Sequence, residues 1–135
     1  MPLIRWTGAY SVGVPELDEQ HQCLMELMNN FHQAMVEGQG RDKLEGVFAA
    51  LTEYAAGHFR SEEEWMEGQG YPRLAEHRRQ HEDLFRRLQE LQGKSAAANP
   101  ALSVSTAMFL SDWLREHILR SDRMYDPRSW KQRAA

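Results

Sequence analysis

Apolar positions, interrupted by a few polar ones, recur along this chain in steps of three and four. Leu17, His21, Leu24, Met28, Phe31 and Met35 form one such series. Leu44, Phe48, Leu51, Ala55, His58, Glu62 and Trp65 form a second. Leu74, His77, His81, Leu84, Leu88 and Leu91 form a third, and Thr106, Leu110, Trp113 and His117 a fourth. A turn of 3.6 residues places each series on one stripe of a helix, the stripe that faces a bundle core. No segment alternates with the two-residue period of a half-buried strand. Glycine-bearing breaks at 38–42, 68–72 and 93–100 separate helices predicted at about 17–37, 43–67, 72–92 and 101–122. Asp18 and Asp42 suit N-caps, and Pro72 suits a first helical turn. Short links favour antiparallel neighbours, so the expected fold is all-α, an up-down-up-down antiparallel four-helix bundle. An N-terminal arm of about 15 residues and a short C-terminal tail from about residue 123 are expected to lie outside it. A length of 135 residues fits one domain, 1–135, able to bury a core without disulfide staples.

Six of the seam positions carry metal-competent side chains: His21, His58, Glu62, His77, His81 and His117. Burying such groups without partners costs several kcal/mol, on the order of 2–7 each. His21 stands near the start of the first helix, His58 and Glu62 near the end of the second. His77 and His81 stand near the start of the third, and His117 near the end of the fourth. In an antiparallel bundle these are all the same end, so six metal-competent side chains converge at one level. His58–Glu62 and His77–His81 are i,i+4 pairs, about 40° apart around the helix axis and one turn apart along it. Glu63 and Glu64 fall about 140° and 240° from His58 and are expected to face solvent. His32 lies nearly on the face of His21 but about 16 Å farther along the axis, too far to share the cluster. Cys23 points to roughly the opposite face from His21 and is no ligand.

Charge and composition narrow the partners. A net charge of -4 argues against nucleic acid, which calls for a cationic surface. Arg78-Arg79 and Arg86-Arg87 are interleaved with acidic residues, as on a solvated helix face. A single cysteine excludes an intramolecular disulfide and a cysteine-built zinc site. No apolar run reaches the length of about 18 residues that spans a bilayer, and no secretory leader pattern opens the chain. The expectation is therefore a cytoplasmic protein without membrane insertion.

The motifs DEQH at 18–21, HFRSEE at 58–63, HRRQH at 77–81 and WLREHILRSD at 113–122 resemble those of the hemerythrin family, in its single-domain bacterial form. Trp6, Tyr10 and VGVPELDEQH at 12–21 extend the resemblance over almost the whole chain. It implies two non-haem iron ions (Fe2+/Fe3+) with a bridging oxo or hydroxo group. His77, His81 and His117 would hold one ion, His21 and His58 the other, and Glu62 and Asp122 would bridge both. Asp122 enters by resemblance alone: five residues after His117, it stands about 140° away on an ideal helix. A π-bulge or the fraying end of the fourth helix would bring it inward. Donor counting then leaves the His21–His58 iron five-coordinate, and the resemblance implies reversible binding of dioxygen end-on there, for carriage, storage or delivery. Leu24, Met25, Phe59, Trp113 and Leu114 would wall the oxygen pocket, serving as core at the same time.

The resemblance implies a binding protein, not an enzyme, with an oxygen-consuming protein as a possible recipient; oligomeric state stays open. Five imidazoles and two carboxylates make a less anionic donor set than the four glutamates and two histidines of ferritin-like di-iron bundles. That balance favours release of oxygen over its cleavage. Two alternatives remain: a di-iron enzyme of the peroxidase or nitric oxide reductase type, and an oxygen- or redox-sensing module. The tail after Asp122 is expected to be too short for an output domain, with Tyr125 and Trp130 packing against the bundle or a neighbour.

Overall fold

The computed structural model describes residues 3–93 and 103–130. Its long helices are α1 (Pro15–Val36), α2 (Arg41–Gln69), α3 (Leu74–Gly93) and α4 (Val104–Arg120). Two 3-10 turns, Gly8–Tyr10 and Asp122–Tyr125, and a four-residue helix α5 (Pro127–Trp130) flank them. There is no strand among the described residues. The break expected at 93–100 lies, from residue 94 onward, outside the described residues, as do residues 101–102, the Leu91 side chain and the tail beyond Trp130.

The helices form the expected four-helix bundle. Near its far end, Phe31 late in α1 meets Phe48 early in α2, with ring centroids 5.4 Å apart. Phe59 of α2 meets Phe85 of α3 at 5.5 Å, and His77 early in α3 meets His117 late in α4 at 4.7 Å. Successive helices therefore run antiparallel. The seam side chains face inward: Leu17, Leu24, Met28, Phe31, Phe48, Leu51, Leu84, Leu88 and Leu110 are all buried. Each buried aliphatic or aromatic side chain of this kind contributes roughly 1.5–3 kcal/mol. No helix among the described residues is long and apolar enough to cross a membrane.

The helix ends differ in detail from their sequence signals. Pro15 opens α1, its fixed φ already helical and its missing N–H no loss there. The helix thus begins before Asp18, which lies in the first turn. Its carboxylate accepts instead from the Ser11 hydroxyl (2.6 Å) and the Val12 N–H (2.8 Å), fastening the arm to the helix. Asp42 likewise sits inside α2, whose N-cap is Gly40. Pro72 belongs to the turn before α3, which begins at Leu74. Gly70 ends α2 as expected, in the left-handed conformation (φ 70°) that lets Tyr71 N–H return to Met66 O.

The arms do not lie outside the bundle. Ile4, Val12 and Val14 are buried in its core, and Ile4 is clasped through its N–H and C=O by the Asn29 side chain at 2.9 and 2.8 Å. After α4 the chain turns back through Asp122–Tyr125, and Tyr125 is fully buried. The arms meet at Gly13 (φ 75°), where an added Cβ would stand 2.6 Å from the Asp126 carboxylate that Arg128 holds in place. Gly13→Ala would combine left-handed strain with this clash. We expect it to destabilise the fold by about 2 kcal/mol or more, read as a lower denaturant midpoint at unchanged slope. A midpoint equal to wild type would show that the two arms do not pack as described.

Candidate metal centre

At one end of the bundle the polar seam residues and Asp122 close into a single buried cluster. His21, His58, Glu62, His77, His81, His117 and Asp122 are each at most 6% exposed. Asp122 arrives there because α4 ends at Arg120 and the chain continues as a 3-10 turn. The tighter winding rotates Asp122 inward, so the end of the helix, not a π-bulge, supplies the residue that periodicity missed.

The two carboxylates divide their oxygens between two sets of imidazoles. Glu62 Oε2 lies 3.0 Å from His21 Nε2 and 3.1 Å from His58 Nε2, while its Oε1 lies 3.1 Å from His81 Nε2 and 3.3 Å from His77 Nε2. Asp122 Oδ2 lies 3.0 Å from His21 Nε2, while its Oδ1 lies 2.8 Å from His77 Nε2 and 3.0 Å from His117 Nε2. His117 Nε2 is also 3.1 Å from Nε2 of both His77 and His81. Two donor groups result: Glu62, His77, His81, His117 and Asp122 in one, and His21, His58, Glu62 and Asp122 in the other. Adjacent ligands about 2.1 Å from one ion stand about 3 Å apart, the spacing seen throughout.

Hydrogen bonding alone does not satisfy this cluster. Among the described residues, both oxygens of Asp122 and Nε2 of His58 are buried without an aligned hydrogen-bond partner. Three imidazole nitrogens in mutual contact cannot all donate to one another, so their lone pairs converge on a common point. A cation at each convergence answers the deficit, and the residues fit a metal pair.

Electrostatics make the same demand for positive charge. Burial pushes the His21 pKa down, but the adjacent carboxylates of Asp122 and Glu62 outweigh it and raise it to about 10. His77, under the same opposing influences, is raised to about 9. Burial pushes Glu62 up, yet the imidazoles of His58, His21 and His77 beside it hold it well below its ordinary value. Asp122 is pushed up by burial and by the Glu62 charge, and still lies below the carboxylate range because His117 and His21 stand against it. Without metal, the cage holds protons in the cation's stead.

Residues beyond the ligand candidates orient them, and sequence reasoning had missed these. The His58 Nδ1–H donates to Gln20 Oε1 at 2.7 Å and the His81 Nδ1–H to Glu63 Oε2 at 2.8 Å, leaving each Nε2 lone pair aimed into the cluster. Glu64 faces solvent as expected, but Glu63 is half-buried and turns back to α3, a reach that angular position on one helix could not reveal. Tyr125 donates its hydroxyl to Glu62 Oε2 at 2.8 Å, and burial together with the Glu62 charge holds its own pKa far up, so it stays a donor. His32 is half-buried elsewhere on α1, and Cys23 is a half-buried free thiol. Arg86 pairs with Asp83 and Arg87 with Glu90 on the exposed face of α3.

An apolar cavity of about 20 Å³ lies among the helices. Leu24, Phe59, Trp113 and Leu114 line it, whereas Met25 is buried in the core without facing it. Phe59 stacks on His81 (3.8 Å, 6°) and Trp113 on His117 (4.4 Å, 14°), so two walls of this region also brace ligand candidates.

The chain resembles known proteins over almost its whole length. It is 33% identical to a bacteriohemerythrin of Methylococcus capsulatus, over 94% of this chain and 97% of that protein. It is 34% identical to a bacteriohemerythrin of Stenotrophomonas maltophilia, over 93% and 80% respectively. A solved wild-type hemerythrin superposes with a TM-score of 0.82 at 32% identity, over 94% of this chain and 98% of that one. A solved hemerythrin variant with a leucine-to-tyrosine substitution gives 0.83 at 32% identity, over 94% and 97%. The model of the hemerythrin HHE cation binding domain matches residues 12–128, and this chain belongs to the hemerythrin family.

Proposed function

We propose that this protein binds dioxygen reversibly at a pair of iron ions, for carriage, storage or delivery. The observation that carries the reading is the division of Glu62 and Asp122 between the two imidazole sets, the arrangement a pair of bridged ions requires. His77, His81 and His117 would hold one ion and His21 and His58 the other, with an oxo or hydroxo group as a third bridge. Imidazole and carboxylate donors suit iron. A ferrous pair held by these residues would supply the electrons for reversible end-on binding of dioxygen, on the side of His21 and His58.

The chain's own residues do the rest. Gln20 and Glu63 fix the tautomers of His58 and His81. The Tyr125 hydroxyl holds Glu62 from its third side, so the bridging carboxylate does not swing. Leu24, Phe59, Trp113 and Leu114 wall a space large enough for one small molecule. A water there would need two to four polar partners. The Thr52 hydroxyl on that wall is committed to Ala49 O. Such a dry space admits an apolar diatomic molecule and keeps protons from a reduced centre. Those four side chains are the proposed oxygen pocket, and Met25 belongs to the surrounding core.

Anaerobic loading with ferrous iron, followed by cycles of oxygen and argon, tests the proposal. A visible charge-transfer band should appear with oxygen and vanish on purging over several cycles. One exposure that leaves permanently ferric protein while a substrate is consumed would favour an enzyme instead. Asp122→Ala is expected to cut the bound iron well below two per chain while the helical circular dichroism is retained; full stoichiometry in that variant would remove Asp122 from the bridge.

Stability of the metal-free protein should carry the signature of the cage. His21 and His77 are raised from 6.5 to about 10 and about 9, so their contribution is complete below pH 6.5 and is lost as pH climbs through those values. Glu62 and Asp122 are depressed, so theirs is present above the ordinary carboxylate range and is lost on acidification. The melting temperature of the metal-free chain should therefore fall on the alkaline side, and bound metal, supplying the positive charge itself, should abolish that fall. An alkaline decline identical with and without metal would contradict the assignment of these imidazoles.

A further inference from the structure

The imidazoles of the cluster differ in what stands behind them. His81 donates its Nδ1–H to a carboxylate, Glu63, whose side chain is only 22% exposed and whose other oxygen accepts from Arg78 Nε at 3.1 Å. His58 donates its Nδ1–H to a neutral amide, Gln20. The Nδ1 of His21 is buried and meets no hydrogen-bond partner among the described residues. Of these three rings, the one backed by an anion belongs to the three-histidine group, and the two without an anion form the two-histidine group.

A carboxylate that accepts from Nδ1–H pushes electron density toward Nε2 and makes the ring a stronger donor; an amide does so less. We propose that Glu63 is a positioning residue that widens the electronic difference between the two metal positions beyond what three imidazoles against two already give. It enriches the coordinatively filled three-histidine position and leaves the His21–His58 position, where the open site lies, the more weakly donated to. Arg78 tempers the effect by offsetting part of the Glu63 charge from the surface side. The inference rests on the metal-pair reading above and goes beyond it, because the division of three imidazoles against two says nothing of what stands behind each ring.

Three substitutions in the iron-loaded protein test it, with proton NMR of the reduced form and redox titration as readouts. Glu63→Gln keeps the size and the acceptor oxygen but removes the charge. It is expected to raise the midpoint potential, to lower metal affinity about tenfold, and to shift the exchangeable ring N–H signal of His81 while that of His58 stays in place. Arg78→Gln leaves the Glu63 charge unopposed and is expected to lower the potential. Gln20→Glu should also lower it, while shifting the His58 signal instead. If Glu63 were only a brace, Glu63→Gln and Arg78→Gln would loosen the same contact and move the potential in the same direction; that result overturns the inference. An unchanged potential in Glu63→Gln with two irons bound overturns it alone. Failure of the wild-type chain to take up two irons overturns the metal-pair reading and this inference together.

Discussion

Two carboxylates buried at one end of a helical bundle, each facing imidazoles on both sides, set the terms for the rest of this structure. Glu62 and Asp122 are fully buried, and the oxygens of Asp122 have no aligned hydrogen-bond donor among the described residues. Removing two such charges from water costs several kcal/mol apiece unless positive charge is supplied beside them. Five histidines respond to that demand, two of them with strongly raised proton affinity. A metal pair meets the same demand with fixed geometry, so the cluster links folding to cation binding.

The bundle buries this charge at one end of its core. Each helix brings its donors to the same level because successive helices run in opposite directions. Apolar side chains pack next to them: Phe59 and Trp113 lie flat on His81 and His117, while Leu24 and Leu114, about one helical turn from His21 and His117, line an apolar cavity. The segment after α4 adds a cover. Tyr125 packs beside Trp65 and Tyr71, donates to Glu62, and accepts at its backbone carbonyl from Trp130 Nε1 at 2.9 Å. The region expected to trail outside the bundle is thus part of the wall around its most polar point.

Orientation comes from a further layer of contacts that is uneven around the cluster. Gln20 and Glu63 present different charges to equivalent ring nitrogens, and His21 has neither. This unevenness adds to the difference that three imidazoles against two already make between the halves of the donor set.

The periodicity of the chain determined the four helices, their antiparallel order and the common level of His21, His58, Glu62, His77, His81 and His117, because helical stripes are a local property that spacing encodes directly. The family motifs added Asp122, which spacing alone would have turned away from the core. Tertiary structure decided what depends on contacts between distant segments. It drew Ile4, Val12 and Val14 into the core, although nothing in their spacing is helical. It bent Asp122 and Tyr125 inward through a 3-10 turn whose winding no seven-residue pattern records. It set Glu63, on the solvent side by helical angle, against a histidine of the neighbouring helix. Helix angle specifies where a side chain starts; where a long polar side chain ends depends on which neighbour lies within reach, and only the packed bundle supplies that neighbour.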